Sequence, residues 1–91
     1  MGGRTIKVLV VDDHRLVREG LANLLRVNQE IEIVGEAGDG DEAVAKARAL
    51  RPHVVLMDVS MPGMNGITAT RLVKKECPEA AVIMLTMLDQ E

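Results

Sequence analysis

The sequence contains no phenylalanine, tyrosine or tryptophan, so any core must consist of aliphatic side chains, methionine and alanine. Its one cysteine, Cys77, excludes an internal disulfide and fits a reducing compartment. No apolar run approaches the roughly 20 residues that a membrane-spanning helix needs, and the first residues lack a secretory signal pattern. We therefore expect a cytoplasmic location and no membrane partner.

Positive charge is also scarce. Eleven lysines and arginines stand against fourteen acids, which leaves a net charge of −3. Because binding to a phosphate backbone needs a basic surface, we expect that this segment binds no nucleic acid. The chain is 47% hydrophobic and 27% charged, which is typical of a folded globular protein, and its 91 residues suffice for one small domain.

Short apolar runs alternate with segments of helical periodicity. Strands are predicted at residues 6–11, 31–34, 54–57 and 81–85, and helices at about 15–26, 41–51 and 67–75. The order β-α-β-α-β-α-β predicts an α/β fold with a parallel sheet between helices. The helical spacing predicts two buried faces: Leu16, Val17, Leu21, Leu24 and Leu25 in the first helix, and Val44, Ala47 and Leu50 in the second.

Three aspartates follow buried strands in this pattern. Asp12 and Asp13 end the first strand, and Asp58 ends the third. Open parallel sheets bind ligands at the carboxyl ends of strands where the strand order reverses, which in the flavodoxin-like order lies between the first and third strands. The three carboxylates should therefore converge at that point.

A set of carboxylate oxygens favours a hard cation, and Mg²⁺ fits best because it uses one or two carboxylates together with phosphate oxygens. An aspartate beside Mg²⁺ can attack phosphorus and form an acyl phosphate. Thr86 ends the fourth strand, where its hydroxyl can donate a hydrogen bond to a phosphoryl oxygen on Asp58. The residues thus indicate a phosphoryl-acceptor pocket.

Residues 8–14, 56–66 and 85–86 together closely resemble the receiver domain of bacterial two-component response regulators. Residues 12–21, 34–40 and 85–89 are most similar to the LuxR/NarL-type subfamily. The resemblance covers nearly the whole chain. It implies a CheY-like, flavodoxin-like fold with strand order 2-1-3-4.

The resemblance also implies a role for individual residues. The position of Asp58 is phosphorylated by a sensor histidine kinase. Asp13 binds Mg²⁺ directly, Asp12 binds it through water, and Ser60 offers its backbone carbonyl. Thr86 provides the switch hydroxyl. A receiver of this kind is a signalling module, and we expect no enzymatic activity of its own.

The family pattern continues with a fourth helix, a fifth strand carrying a lysine and an aromatic switch residue, and a fifth helix. In this subfamily, a DNA-binding domain for transcription regulation follows. We therefore interpret residues 1–91 as a truncated receiver domain without a DNA-binding domain, impaired in phosphorylation and switching. The outer edge of the 81–85 strand and part of the first helix should be bare, which predicts self-association.

Two alternatives remain open. One is an interaction or oligomerisation fragment that carries no phosphate. The other is a magnesium phosphatase with an aspartyl-phosphate intermediate, although such enzymes place a second acid where this chain has Ser60. The remaining candidates have ordinary interpretations: His14 as a polar helix-start residue, His53 as a surface residue, Cys77 as a loop thiol, and Met57, Met61, Met64, Met84 and Met87 as packing near the pocket.

Overall fold

The computed structural model describes residues 5–61 and 63–85. Four strands alternate with three helices, as the periodicity predicted. The elements are β1 (Ile6–Val11), α1 (Arg15–Arg26), β2 (Ile31–Ala37), α2 (Gly40–Leu50), β3 (Val54–Asp58), α3 (Gly66–Glu76) and β4 (Ala81–Leu85).

All strand pairs are parallel, and the strand order is β2-β1-β3-β4, which confirms the predicted flavodoxin-like topology. β1 and β3 lie in the middle of the sheet, with Val11 opposite Met57. β2 lies at one edge, and its Glu32 is exposed there. The central position of β1 and β3 places the ends of these two strands side by side, where the aspartates follow.

The core lies between the sheet and the helix pair α2–α3. Leu9 and Val11 of β1 and Val55 and Met57 of β3 contribute the larger side chains. Small residues of the helices, including Ala43, Ala47 and Ala69, are completely buried against them. Val8 and Val10 alternate to the other face of β1, where α1 packs, and are buried too. An aromatic-free core is thus filled by aliphatic side chains on both faces of the sheet.

Several element boundaries differ from the sequence prediction. β2 continues to Ala37, three residues further, because a register shift opposite Val8 and Leu9 lets it go on pairing with the end of β1. α2 begins at Gly40, since Asp39 caps it by accepting a hydrogen bond from the Glu42 N–H (2.8 Å). β3 includes Asp58, and α3 extends one residue beyond the predicted helix at each end.

The predicted buried faces of α1 and α2 were partly wrong. Leu16 and Leu24 of α1 are 83% and 70% exposed, and Ala22 is the fully buried residue of this helix. Arg18 is half-buried, because its guanidinium donates hydrogen bonds to Glu36 and to the Asp12 carbonyl. In α2 the buried positions are Gly40, Ala43 and Ala47, whereas Val44 and Leu50 are half-buried. In both helices, the fully buried positions are small residues and not leucines.

None of the helices within the described ranges has the length and apolar character that crossing a membrane requires.

Candidate functional site

The site lies at the carboxyl ends of β1 and β3. Hydrogen bonds hold the chain as it leaves each strand: the Asp12 N–H donates to the Ala37 carbonyl (3.0 Å), and the Val59 N–H donates to the Leu85 carbonyl (3.2 Å). Asp12 and Asp58 therefore leave neighbouring strands at the same edge of the sheet. Both are almost completely buried, with 4% of each residue exposed.

The structure brings Asp12, Asp13 and Asp58 together, as the topology predicted. One ligand atom from each of these residues, and one from His14, lie within 4.8 Å of one another. The Nδ1 atom of His14 is 3.3 Å from Asp12 Oδ1 and 3.2 Å from Asp13 Oδ1. The sequence interpretation favoured a role for His14 as a polar helix-start residue. The sequence did carry one signal for this contact, because His14 directly follows the predicted ligands Asp12 and Asp13.

Local turns orient the carboxylates. Asp12 Oδ1 accepts a hydrogen bond from the His14 N–H (2.8 Å), and Asp58 Oδ1 accepts one from the Ser60 N–H (3.1 Å). Each aspartate is thus held by the backbone two residues further along. Ser60 therefore reaches the site through its N–H. Its predicted role as a carbonyl ligand stays a prediction.

The start of α3 lies tightly against the end of β3. The Gly66 N–H donates to the Val59 carbonyl (2.9 Å), and a Cβ on Gly66 would meet the backbone of Asp58 and Val59. Asn65 caps α3 by accepting a hydrogen bond from the Thr68 N–H (2.9 Å). Only glycine at this position allows the helix to start so close to Asp58.

Burial raises the pKa of the Asp58 carboxyl above its ordinary value of 3.8. The N–H of Ser60 lowers this pKa, while the negative charges of the nearby Asp12 and Asp13 carboxylates raise it further. Three carboxylates in one pocket therefore repel each other. A bound cation would relieve that repulsion.

The donor set fits a hard divalent cation. Asp13 Oδ1 is buried and has no hydrogen-bond partner among the described residues, although His14 Nδ1 lies 3.2 Å away. A buried carboxylate oxygen without a partner is costly unless a cation coordinates it. Asp12, Asp13 and Asp58 supply oxygens of the kind that Mg²⁺ prefers.

Other predicted residues lie elsewhere. Thr86 and Met87 are outside the described residues, so the switch role of Thr86 stays a prediction. Cys77 is the cap residue that follows α3, in the connection to β4 as predicted, but its thiol is not a surface group: it packs in the core, 2% exposed. His53 is exposed, as predicted, and its Nδ1 accepts a hydrogen bond from the Lys7 N–H (2.9 Å) at the opposite end of the sheet.

The methionines divide into two groups. Met57 and Met61 are buried and Met64 packs against the core, in agreement with their predicted packing role. Met84, by contrast, is 40% exposed on β4. Sequence spacing alone could not distinguish these environments.

The sheet order and the acidic cluster at the β1–β3 switch point define a receiver-type signalling domain. The chain belongs to the response regulator receiver domain family, whose sequence profile matches residues 8–91. It is 50% identical over 82 residues to response regulator protein VraR from Staphylococcus aureus, an alignment covering 90% of this chain.

Solved structures agree with this assignment. The receiver domain of the putative response regulator NarL from Mycobacterium tuberculosis is 34% identical with a TM-score of 0.88, and covers 97% of this chain and 71% of its own. CheY in the CheX–CheY–BeF₃–Mg²⁺ complex from Borrelia burgdorferi is 32% identical with a TM-score of 0.86, over 98% and 67%. The chain spans 39% of the length of VraR.

Proposed function

We propose that Asp58 accepts a phosphoryl group in a Mg²⁺-dependent reaction. The observation that carries this proposal is the convergence of Asp12, Asp13 and Asp58, whose ligand atoms lie within 4.8 Å of one another at the end of the sheet. Asp58 is the member that ends β3, and its second carboxylate oxygen is left over after Oδ1 accepts the Ser60 N–H. That oxygen is the proposed nucleophile.

The proposed step is a transfer between nitrogen and oxygen. The ionised carboxylate of Asp58 attacks phosphorus, the new O–P bond forms, and the P–N bond of a phosphohistidine breaks with its electron pair passing to the imidazole nitrogen. Mg²⁺ would neutralise charge on the phosphoryl oxygens and on the acidic cluster. Asp13 is the proposed direct ligand, Asp12 the water-mediated ligand, and Ser60 a carbonyl ligand.

The proposed phosphoryl donor is a sensor histidine kinase, and the proposed location of this protein is the cytoplasm. For the whole protein, we propose that the receiver controls a DNA-binding output domain, because residues 12–21 and 34–40 resemble the LuxR/NarL-type subfamily. VraR is itself a response regulator protein, which supports the assignment of the whole protein to the response regulators. Ser60 in place of a second acid argues against a phosphatase.

Phosphoryl acceptance should be slow in this chain. Within residues 5–61 and 63–85, the lysine and arginine ion pairs involve Glu19, Glu36, Glu42, Glu76 and Glu79, and none involves the three aspartates. No lysine or arginine among the described side chains therefore assists Mg²⁺ in neutralising the phosphoryl group.

Incubation with acetyl phosphate and Mg²⁺, followed by intact mass measurement, tests the proposal. We expect one phosphoryl adduct that forms slowly, requires Mg²⁺, and is absent in Asp58→Asn. Asp39→Asn is the matched control, because asparagine keeps the capping oxygen of α2 and lies outside the cluster. An adduct that persists in Asp58→Asn, or none after prolonged incubation, would contradict the proposal.

We also propose self-association as a second function, through α1 or the β4 edge. Leu16 and Leu24 of α1 are 83% and 70% exposed, Val27 directly after α1 is 80% exposed, and Ile83 of β4 is 50% exposed. Among the described residues β4 pairs only with β3. Exposed apolar stripes and free strand edges favour association.

Light scattering across a micromolar concentration series tests this second proposal. We expect the mass to rise above that of a monomer, and Leu24→Lys to lower it if α1 forms the contact. Ala45→Lys, on the exposed side of α2, is the control. A monomeric mass at high micromolar concentration would exclude self-association.

A further inference from the structure

Arg18 lies behind the acidic cluster and contacts two different strand ends. Its Nη1 donates a hydrogen bond to the backbone carbonyl of Asp12 (2.8 Å), and its Nε donates one to Glu36 Oε1 in β2 (3.1 Å). The side chain is only 18% exposed. Arg18 and Glu36 lie in the two stretches that carry the subfamily resemblance, residues 12–21 and 34–40. Neither of these two residues is a member of the acidic cluster.

We propose that Arg18, held by Glu36, is a positioning residue that orients the Asp12–Asp13 peptide and thereby the Asp13 carboxylate. This inference rests on the proposed metal site. The carbonyl of Asp12 and the amide of Asp13 belong to one planar peptide unit, so a hydrogen bond on that carbonyl restrains both residues. The Asp12 N–H is bonded to Ala37, which leaves the carbonyl side to Arg18.

The surroundings of the guanidinium fit this role. Glu36 balances its charge and orients it, since Arg18 bonds through Nε to Glu36 and through Nη1 to Asp12. A Cβ on Gly38 would lie 3.3 Å from Arg18 Nη1, which is tighter than most such contacts. The glycine therefore leaves space for the guanidinium. The side chain of Arg18 thus connects helix α1 to strand β2 and to the turn at Asp12 and Asp13.

Lysine cannot replace arginine here. An ammonium is a single point of charge, whereas the planar guanidinium offers several N–H groups in a rigid arrangement and can bond to two acceptors in fixed directions. Arg18→Lys keeps the charge and loses the orientation. Arg26→Lys is the matched control, because Arg26 faces the same Glu36 at 3.8 Å but is 51% exposed.

Two measurements on these variants test the inference. Calorimetric titration with Mg²⁺ gives the affinity, and the ¹⁵N-resolved amide signal of Asp13 in metal-free protein reports on its peptide unit. We expect Arg18→Lys to weaken Mg²⁺ binding about 10- to 100-fold, as is usual when a residue that orients a metal ligand is lost, and to shift the Asp13 amide signal. Arg26→Lys should stay within about twofold, as expected for an exposed ion pair.

A purely structural role for Arg18 predicts a different result. If Arg18→Lys unfolds at lower denaturant concentration but binds Mg²⁺ like the parent and keeps the Asp13 amide signal, the inference is overturned. Should Arg18→Lys fail to fold, Glu36→Gln undergoes the same measurements, and parent-like values overturn the inference equally. If the parent chain binds no Mg²⁺, the proposed function fails, and the metal-free Asp13 signal alone decides the role of Arg18.

Discussion

Gly66 lies directly against the backbone of Asp58, at the first turn of α3. A Cβ on Gly66 would be 2.7 Å from Val59 Cα and would also collide with the Asp58 carbonyl. Because both neighbours are backbone atoms, they cannot move aside as a flexible side chain would. The end of β3 and the start of α3 can therefore approach each other only with glycine at this position.

Gly66→Ala should destabilise the protein by about 1–3 kcal/mol, the usual range for overpacking, measured as the free energy of unfolding in urea. Gly20→Ala provides the opposite case, because nothing lies within 4 Å of its added Cβ in α1. That variant should gain about 0.5–1 kcal/mol from helix propensity. A Gly66→Ala protein stabilised to the same extent would contradict the close packing.

The raised pKa of Asp58 predicts a pH-dependent stability. A carboxyl whose pKa is higher in the folded state than in the unfolded state stabilises the fold when protonated and loses that contribution as pH rises through the folded pKa. In metal-free buffer, Asp58→Asn should therefore be more stable than the parent at pH 7. Each unit by which the pKa is raised corresponds to about 1.4 kcal/mol.

This difference should shrink as the pH is lowered through 3.8, the ordinary pKa of aspartate, because below it the carboxyl is largely protonated in both the folded and the unfolded state. Urea unfolding of both proteins across this pH range measures it. Asp41→Asn, at an exposed aspartate in the first turn of α2, serves as the control for loss of a surface charge. A parent protein more stable than Asp58→Asn at every pH would show that the cluster does not penalise the ionised form.

At pH 7, Mg²⁺ should reverse the order of stability, so that the parent becomes more stable than Asp58→Asn. A ligand that binds only the folded state stabilises it by about 2.7 kcal/mol when its concentration is 100 times Kd. The parent should therefore show a rising Tm with added Mg²⁺, while Asp13→Asn, which loses the partnerless buried oxygen, should respond little. Asp39→Asn should respond like the parent. Equal responses of all three proteins would place the Mg²⁺ effect outside the cluster.

Asn65 should contribute to stability through its cap on α3. Asn65→Ala removes the oxygen that accepts the Thr68 N–H and should cost about 1 kcal/mol of unfolding free energy. Asn65→Asp keeps an acceptor and should remain within a few tenths of a kcal/mol, since a negative charge suits a helix N-terminus. Equal losses in both variants would indicate that the asparagine acts through its loop contacts and not through the cap.

The order of elements and the convergence of three aspartates were predictable from the sequence. Short β-branched runs alternating with helical periodicity leave few topologies, and parallel strands bring their carboxyl ends to one edge. The start of α2 was harder to predict, because Gly38, Asp39 and Gly40 suit a turn as well as a cap. The bulge opposite Val8 and Leu9 that lengthens β2 has no local sequence signal.

The sequence by itself determined the strands, their parallel pairing and the place of Asp12, Asp13 and Asp58, since periodicity and strand ends are local properties. The tertiary structure alone decided which helix faces are buried, that Cys77 packs in the core, and that His14 joins the acidic cluster. It also decided that Arg18 turns inward to the Asp12 carbonyl. These depend on contacts between residues distant along the chain, and helical spacing cannot distinguish a guanidinium in water from one that donates to a backbone carbonyl and a half-buried carboxylate.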